Sequence, residues 1–523
     1  MDPRFLQYYN RELGYMRELG GEFAREFPKI AGRLGLDAFE CADPYVERLL
    51  EGVAFLAARV QLKIDSEFPR FTEHLLDVVY PHYLAPTPSM AVVQAQPQKQ
   101  SVLAEGFGVP RGTALRSSQG KGDRTGCEYR TAHDIHLWPM EIVEASHSAY
   151  FGDIGEVRLP GARKVRGVLR LRLRTWGGIS FNQLAIQALP IFIRSHDQMA
   201  SRLYELLVAG TVATVVRNPE GTFSEVIADD ALRPLGFDDD ESLLPYGPRS
   251  FQGYRLLHEY FAFPSRYLFV ELGGLQTALP KSSGQEIEIA IMLDRHDPLV
   301  ESAISADHFA LFCSPAINLF PRNADRIHLS DRFFEYHVVP DRTRPTELEV
   351  HTIQKVFGLG TGLEVQREFR PFHAPVRSRT DTSTSSFYTV HRRLRGPAQK
   401  RGQTARSTYV GSDVFISLVD GDEGPYNPEL RQLSIEALCT NRDLPTFMSV
   451  GQGSTDFHLA SGAPVESVRC VAGPSSPRPS NAWGDLSWKL INHLSLNYLS
   501  LVDDEQTNAD GALREMLQLY GDL

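Results

Sequence analysis

The sequence contains no C-x-x-C pair: its five cysteines, Cys41, Cys127, Cys313, Cys439 and Cys470, are odd in number and far apart. That pattern argues against a zinc ribbon or a disulfide framework and for a reducing compartment. Long hydrophobic runs are missing too. No window approaches the roughly 18 consecutive apolar residues of a membrane span. The opening MDPRFLQYYNRELGYMREL is charged throughout and lacks the apolar core of a secretory signal. Positive charge is scarce, with 54 Lys and Arg against 65 Asp and Glu, a net charge of −11. A chain of that sign is a poor candidate for wrapping nucleic acid, whose phosphates dominate affinity. These features describe a soluble, intracellular protein.

The common catalytic signatures also fail. Gly120-Lys121-Gly122 supplies neither the leading glycine nor the hydroxyl of a phosphate loop. Gly106-Phe107-Gly108 lacks the third glycine of a dinucleotide turn. His258-Glu259 begins an H-E-x-x-H pattern, but Ala262 stands where the second zinc ligand belongs. Gly473-Pro474-Ser475-Ser476-Pro477 ends in the wrong residue for a nucleophile elbow and reads as a linker.

What is present is a large, ordinary globular composition: 523 residues, 42% hydrophobic and 23% charged. At about 150 residues per domain that length divides into three or four units. Phe5, Tyr9, Leu13, Met16, Leu19 and Phe23 recur at steps of three and four, an amphipathic helical period closed by Pro28. Asp43 as N-cap and Pro44 at the first helical position open a second helix, whose stripe runs Val46, Leu49, Leu50, Val53, Leu56, Val60, Ile64. Phe71 to Val79 predicts a third, ended by Pro81.

Beyond residue 90 the period becomes two. Leu169, Leu171 and Leu173 alternate with Arg170, Arg172 and Arg174, and Ile287, Ile289 and Ile291 continue the habit, so these are half-buried strands. The runs 189–193, 211–216, 267–272 and 414–419 read as strands. Helices are expected at Asp197–Val208, within Gly253–Phe261, and at 486–501 and 511–520. Polar stretches at 376–407 and 472–481 look like mobile loops or linkers. The fold class is therefore α+β and multidomain, a helical N-terminal arm followed by several β-rich modules. The expected divisions are a helical arm over 1–88, a β-rich module over 89–250, a second α+β module over 251–375, and a C-terminal β-rich module with terminal helices over 376–523.

Several weaker constellations invite chemistry. Cys127, His133 and His136 have metal-ligand chemistry but no fourth ligand, and read more simply as loop and strand residues. Asp238-Asp239-Asp240-Glu241 lacks the glycine and distal glutamate of a calcium loop and reads as a repelling surface loop. The Arg170/Arg172/Arg174 row and the cluster Arg392, Arg393, Arg395, Lys400, Arg401 read as a solvated strand face and a solvated loop. The aromatic segment FQGYRLLHEYFAFPSRYLFVEL (251–272) reads as a helix-to-strand core corner turned by Pro264. The N-terminal stripe differs, because an aromatic helix at a chain terminus suits a surface covered by another chain as well as it suits a core.

The opening YYNRELGYMRELGGEFAREFPKIAGRLGL and the following DPYVERLLEGVAFLAARVQLKIDSEFPRFTEHLLDVVYPHYLAPTPSM resemble the TssF family of type VI secretion baseplate subunits. Four later blocks agree in family order: SFQGYRLLHEYFAFPSRYLFVEL, LFCSPAINLFPRNADRI, LSIEALCTNRDLP and LSWKLINHLSLNYLSL. The resemblance implies a non-enzymatic part of a contractile injection machine, without cofactor or metal. It implies two copies joined to one TssG-like subunit through intertwined helical arms, which makes Phe5, Tyr9, Leu13, Met16, Leu19 and Phe23 candidate interface residues. It further implies TssK-, TssE-, sheath- and VgrG-like neighbours, and a cytoplasmic location at the inner face of the cell membrane. Family members usually continue past the position of Tyr520, so a C-terminal segment is expected to be missing after Leu523. Two rivals remain: a metal- or carboxylate-dependent enzyme on β modules, and a wedge protein of a contractile phage tail.

Overall fold

The computed structural model describes residues 3–33, 43–99, 104–118, 126–154, 164–195, 197–220, 223–227, 231–245, 251–360, 366–372, 386–395, 407–420, 426, 429–480, 514, 517–518 and 520. The chain divides into two compact units, the first containing Met1–Leu84 and the second Ala85–Ser480.

The first unit opens with the helix Pro3–Glu26 and the single turn Pro28–Ala31. Asp43 then caps a new helix, its carboxylate accepting from the Tyr45 N–H at 2.9 Å, with Pro44 at the first position. Two helices are expected from the sequence over 44–79; the structure has one, Pro44–Val79, of 36 residues. It runs through Pro69, which removes one backbone donor, and Phe71 and Leu75 resume the apolar period beyond it. At its end the Tyr80 N–H donates to the Leu76 carbonyl at 2.6 Å and Pro81 opens a separate short turn.

The second unit is built from sheets. A closed six-stranded barrel runs Met90–Pro97, Cys313–Ile317, Glu128–Thr131, Ala114–Ser117, Phe457–Leu459, Val465–Ala472. A five-stranded antiparallel sheet has the order Ser224–Ile227, Thr211–Arg217, Glu286–Leu293, Gly167–Thr175, Met140–Ser148. A four-stranded sheet follows the order Leu232–Pro234, Phe269–Leu272, Leu189–Ile193, Phe309–Leu311. Leu171, Leu173, Ile289, Ile191 and Leu203 from the helix Asp197–Gly210 share one core. An eight-stranded sheet includes Phe320–Asn323, Leu430–Thr440, Glu349–Gly360, Gln366–Pro371, Ser386–Leu394, Ser412–Asp420 and Tyr336–Val338. Its separate core holds Val356, Phe369, Ile416, Leu433 and Ile435.

The expected borders at 250 and 375 do not divide this unit. Val93 pairs with Ser314 on one side and Cys470 on the other, so the barrel closes only when all three expected modules contribute. The expected loop at 376–407 is also corrected in part: Ser386–Leu394 is a strand, because Tyr388 and Val390 give it a face to pack and its whole length pairs with Ser412–Asp420. Residues 373–385 and 396–406 lie outside the described residues. The expected linker after residue 472 is held down instead. The Ser475 N–H donates to the Met90 carbonyl at 2.8 Å, and Thr87 and Arg478 form a bridge. The expected helices at 486–501 and 511–520 lie almost wholly outside the described residues.

Alternation does what the sequence predicts at the centre of the five-stranded sheet. Leu169, Leu171 and Leu173 are buried. The arginines between them are not simply solvated. Arg172 reaches Glu144 at 3.0 Å, Arg174 reaches Glu286 at 2.7 Å, and Arg170 and Arg217 share Glu288 at 3.6 and 2.7 Å. The row is a cross-strand ladder of ion pairs. Likewise Arg393 pairs with Glu335 and Arg395 with Asp413, while Arg392 donates to the Val350 and His351 carbonyls. Lys400 and Arg401 lie outside the described residues.

Candidate interaction surface

The structure divides the six aromatic and aliphatic residues of the first helix. Phe5 is buried, its ring meeting Phe55 edge-on with centroids 5.1 Å apart. Arg17 reaches Glu47 at 4.0 Å, so the first helix and the long helix run antiparallel. Tyr9, Leu13 and Met16 are half-buried. Leu19 and Phe23 are exposed, as are Leu6, Tyr15, Phe27 and Ile30.

The long helix supplies the larger surprise. Its small residues Ala54 and Ala58 are fully buried, whereas Leu49, Val53, Leu56 and Val60 are exposed by 69%, 42%, 61% and 58%. The residues that a periodicity argument assigns to the core therefore face outward. Their 4-3-4 spacing is the seam of a coiled coil, and that spacing is the signal that marks them in the sequence. The stripe is exposed along about three turns of the helix.

The residues with catalytic chemistry are built into the scaffold instead. Cys127 is buried in the barrel core, His136 is exposed on the strand Ile135–Leu137, and the His133 ring packs edge-on against Phe269, centroids 5.5 Å apart. Burial, and then the Arg266 and Arg111 charges, push the His133 imidazole down to about 3. The three are not brought together, and among the described residues no three His, Cys, Asp or Glu side chains form a metal cluster. His258 Nε2 lies 2.8 Å from the Thr87 hydroxyl. Glu259 is wholly buried, accepts from the Leu243 and Leu244 N–H groups at 3.1 and 2.9 Å, and pairs with Arg255 and Arg266.

The acidic run is corrected as well. Asp238 starts a 3-10 turn over Asp239–Glu241, the Glu241 carboxylate accepts from the Gly236 N–H, and the Glu241 carbonyl accepts from Arg266 at 2.9 Å. Exposed Arg233 and Arg111 and buried Arg255 also reach this turn, so its acidic groups are paired with arginines and it is not a repelling loop. The aromatic corner forms as expected: helix Gln252–Ala262, a 3-10 turn from Pro264 to Tyr267, then the strand Phe269–Leu272, with Phe263, Tyr267 and Phe269 buried.

The described residues define a two-part protein, a large β scaffold and a helical unit with an exposed apolar seam. Comparison with known proteins gives the family. The type VI secretion TssF family matches residues 1–523. The chain is 51% identical over 527 residues to the type VI secretion system component TssF1 of Pseudomonas aeruginosa, covering 100% of this chain and 84% of that one. It belongs to the TssF family, which supplies a structural component of the type VI secretion baseplate. Among solved structures it is similar to a chain of the TssK-TssF-TssG baseplate subcomplex, with TM-score 0.68 and 26% identity over 90% of this chain and 81% of that one. It also shares the fold of a chain in a type VI baseplate complex, with TM-score 0.56 and 22% identity over 99% and 83% of the two chains. No helix among the described residues is long and apolar enough to cross a membrane.

Proposed function

We propose that the chain is a non-catalytic subunit of the baseplate wedge, in which two copies hold one TssG-like subunit through their helical arms. In this reading the wedge meets a TssK-like protein on the side of the membrane complex, at the cytoplasmic face of the inner membrane, and TssE-, sheath- and VgrG-like proteins elsewhere. The observation that carries the reading is the exposed seam Leu49, Val53, Leu56 and Val60. Burying four such side chains is worth about 6–12 kcal/mol at roughly 1.5–3 kcal/mol each. Association itself costs about 4–15 kcal/mol. One stripe alone barely balances that cost, so a bundle joining several arms is the stable solution. Support also comes from the relative solved together with TssK and TssG.

The test is copurification. Affinity-tagged chain co-expressed with the TssG-like and TssK-like proteins should retain both through washing, and TssG should be lost when Leu49 and Leu56 are both changed to Arg. Retention of TssG by that variant contradicts the arm assignment.

A further inference from the structure

The second unit holds a recessed cleft of about 720 Å³ where the barrel strand Ala114–Ser117 comes near the strand Phe320–Asn323 of the eight-stranded sheet. Its lining is cationic on a chain whose net charge is −11. Arg116 contributes from the barrel, Arg322 from the large sheet and Arg344 from a loop. The single carboxylate among the described lining residues, Glu128, is already held by Arg130 at 2.5 Å. Behind the lining, Asp341 takes both Arg322 and Arg344, at 2.7 and 2.8 Å. Two guanidiniums thus share one carboxylate, which fixes their position. Arg116 is exposed and forms no salt bridge among the described residues, standing between His458 and Glu128 in the strand register.

Asn441 adds a second, independent sign. Its side chain is buried, at 2% exposure, yet lines the cleft. Its Oδ1 accepts from the Glu128 N–H and from Asn318 Nδ2, both at 2.8 Å, which fixes the orientation of the amide. The two N–H donors of Nδ2 have no partner among the described residues. With Oδ1 taken, the amide nitrogen is the group Asn441 offers to an acceptor in the cleft.

We propose that this cleft is a binding site for an acidic peptide segment of a partner chain, with Arg116 and Arg322 taking carboxylates and Asn441 donating to a backbone or side-chain carbonyl. Planar guanidiniums bind carboxylates by paired charge-assisted hydrogen bonds, and arginine clusters are a recurring means of reading acidic motifs. Phe320 in the lining is 4% exposed and offers no face on which a base stacks. The volume lies within the range of about 300–1,000 Å³ typical of ligand sites.

The experiment uses the full chain and three probes: a fluorescein-labelled peptide with alternating Glu and Asp, the same peptide with Gln and Asn in their place, and inorganic pyrophosphate as competitor. The acidic peptide should bind with saturable anisotropy, weaken several-fold between 50 and 300 mM salt, and exceed the amide peptide by at least tenfold. Arg116→Ala, at an exposed position with no salt bridge to lose, should weaken binding about tenfold with unchanged circular dichroism. Asn441→Asp should weaken it further by placing a negative charge in the recess. Equal binding of both peptides, no binding of the acidic one, or binding indifferent to Arg116 overturns the proposal. Pyrophosphate binding tightly where the acidic peptide does not also overturns it, and assigns the cleft to phosphate.

Discussion

Phe5 and Phe55 meet ring edge to ring face at 5.1 Å, and this contact both seals the first helix to the long one and fixes which side of the long helix is left bare. Leu56 follows Phe55 by one residue, about 100° further round the helix, and is 61% exposed. The arm thus closes on itself along one edge and presents Leu49, Val53, Leu56 and Val60 along another.

That division predicts two kinds of variant. Leu56→Arg with Val60→Glu lies on the bare edge and should leave the melting temperature of the chain nearly unchanged, since exposed substitutions usually stay within about 0.5 kcal/mol. The same pair should abolish capture of the TssG-like subunit. Ala54→Leu lies at a fully buried position, where overpacking costs roughly 1–3 kcal/mol. It should lower the melting temperature. The reverse pattern, with the bare-edge pair unfolding the chain, contradicts the division.

Glu259→Gln should destabilise the second unit by roughly 3–5 kcal/mol, the usual result of breaking a buried ion pair from one side. Glu259 accepts from two backbone N–H groups and faces two arginines buried with it. Chemical denaturation followed by tryptophan fluorescence reads the effect. A loss below about 1 kcal/mol, the level of an ordinary surface pair, contradicts the cluster's role.

Much of this was legible from residue order, and the failures have physical causes. Local alternation locates Gly167–Thr175 and Glu286–Leu293 because each strand shows its neighbours the same face at every second residue. Barrel closure was not legible, since Val93 and Cys470 are distant in sequence and pairing leaves no mark on either alone. The sequence showed the long helix's apolar stripe but not which side the single chain buries, because Ala54 and Ala58, too small to stand out, are what it buries. The cationic cleft was hidden because Arg116, Arg322 and Arg344 are scattered along the chain.

Acid should weaken the second unit in two stages. The His133 pKa is pushed down to about 3, below its ordinary 6.5, so its contribution is complete above 6.5 and lost as the pH falls from there toward 3. The Thr343 hydroxyl and Arg344 hold Asp341 down to about 2. His337 and Arg395 hold Asp413 at about 2 despite burial, which pulls the other way. Both carboxylates have an ordinary value of 3.8, so their contributions are complete above it and lost as the pH falls toward 2. Melting temperature should be level above pH 7, decline below 6.5, and decline more steeply below 4. His133→Gln should shrink the first stage, to which the His147 imidazole, also lowered by burial, contributes, and leave the second unchanged; a first stage of full size in it contradicts the assignment.

The thiols should be inert in the folded chain. Burial pushes Cys439 and Cys470 up to about 12 and Cys313 higher still. Iodoacetamide at pH 8 should label these three slowly until denaturant is added, because the thiolate is the reactive form. Replacing all five cysteines by Ala or Ser should lower stability and leave secretion intact. A replaced chain that folds normally but fails to support secretion contradicts a purely structural role for these thiols.

The most direct measurement of the central claim is the native mass of the complex formed when the chain and its TssG-like partner are expressed together. The account predicts a species containing two copies of this 58.6 kDa chain and one partner, which falls to separate components when Leu56→Arg and Val60→Glu are introduced. A chain that remains alone beside its partner, or a complex of unchanged mass in that variant, contradicts it.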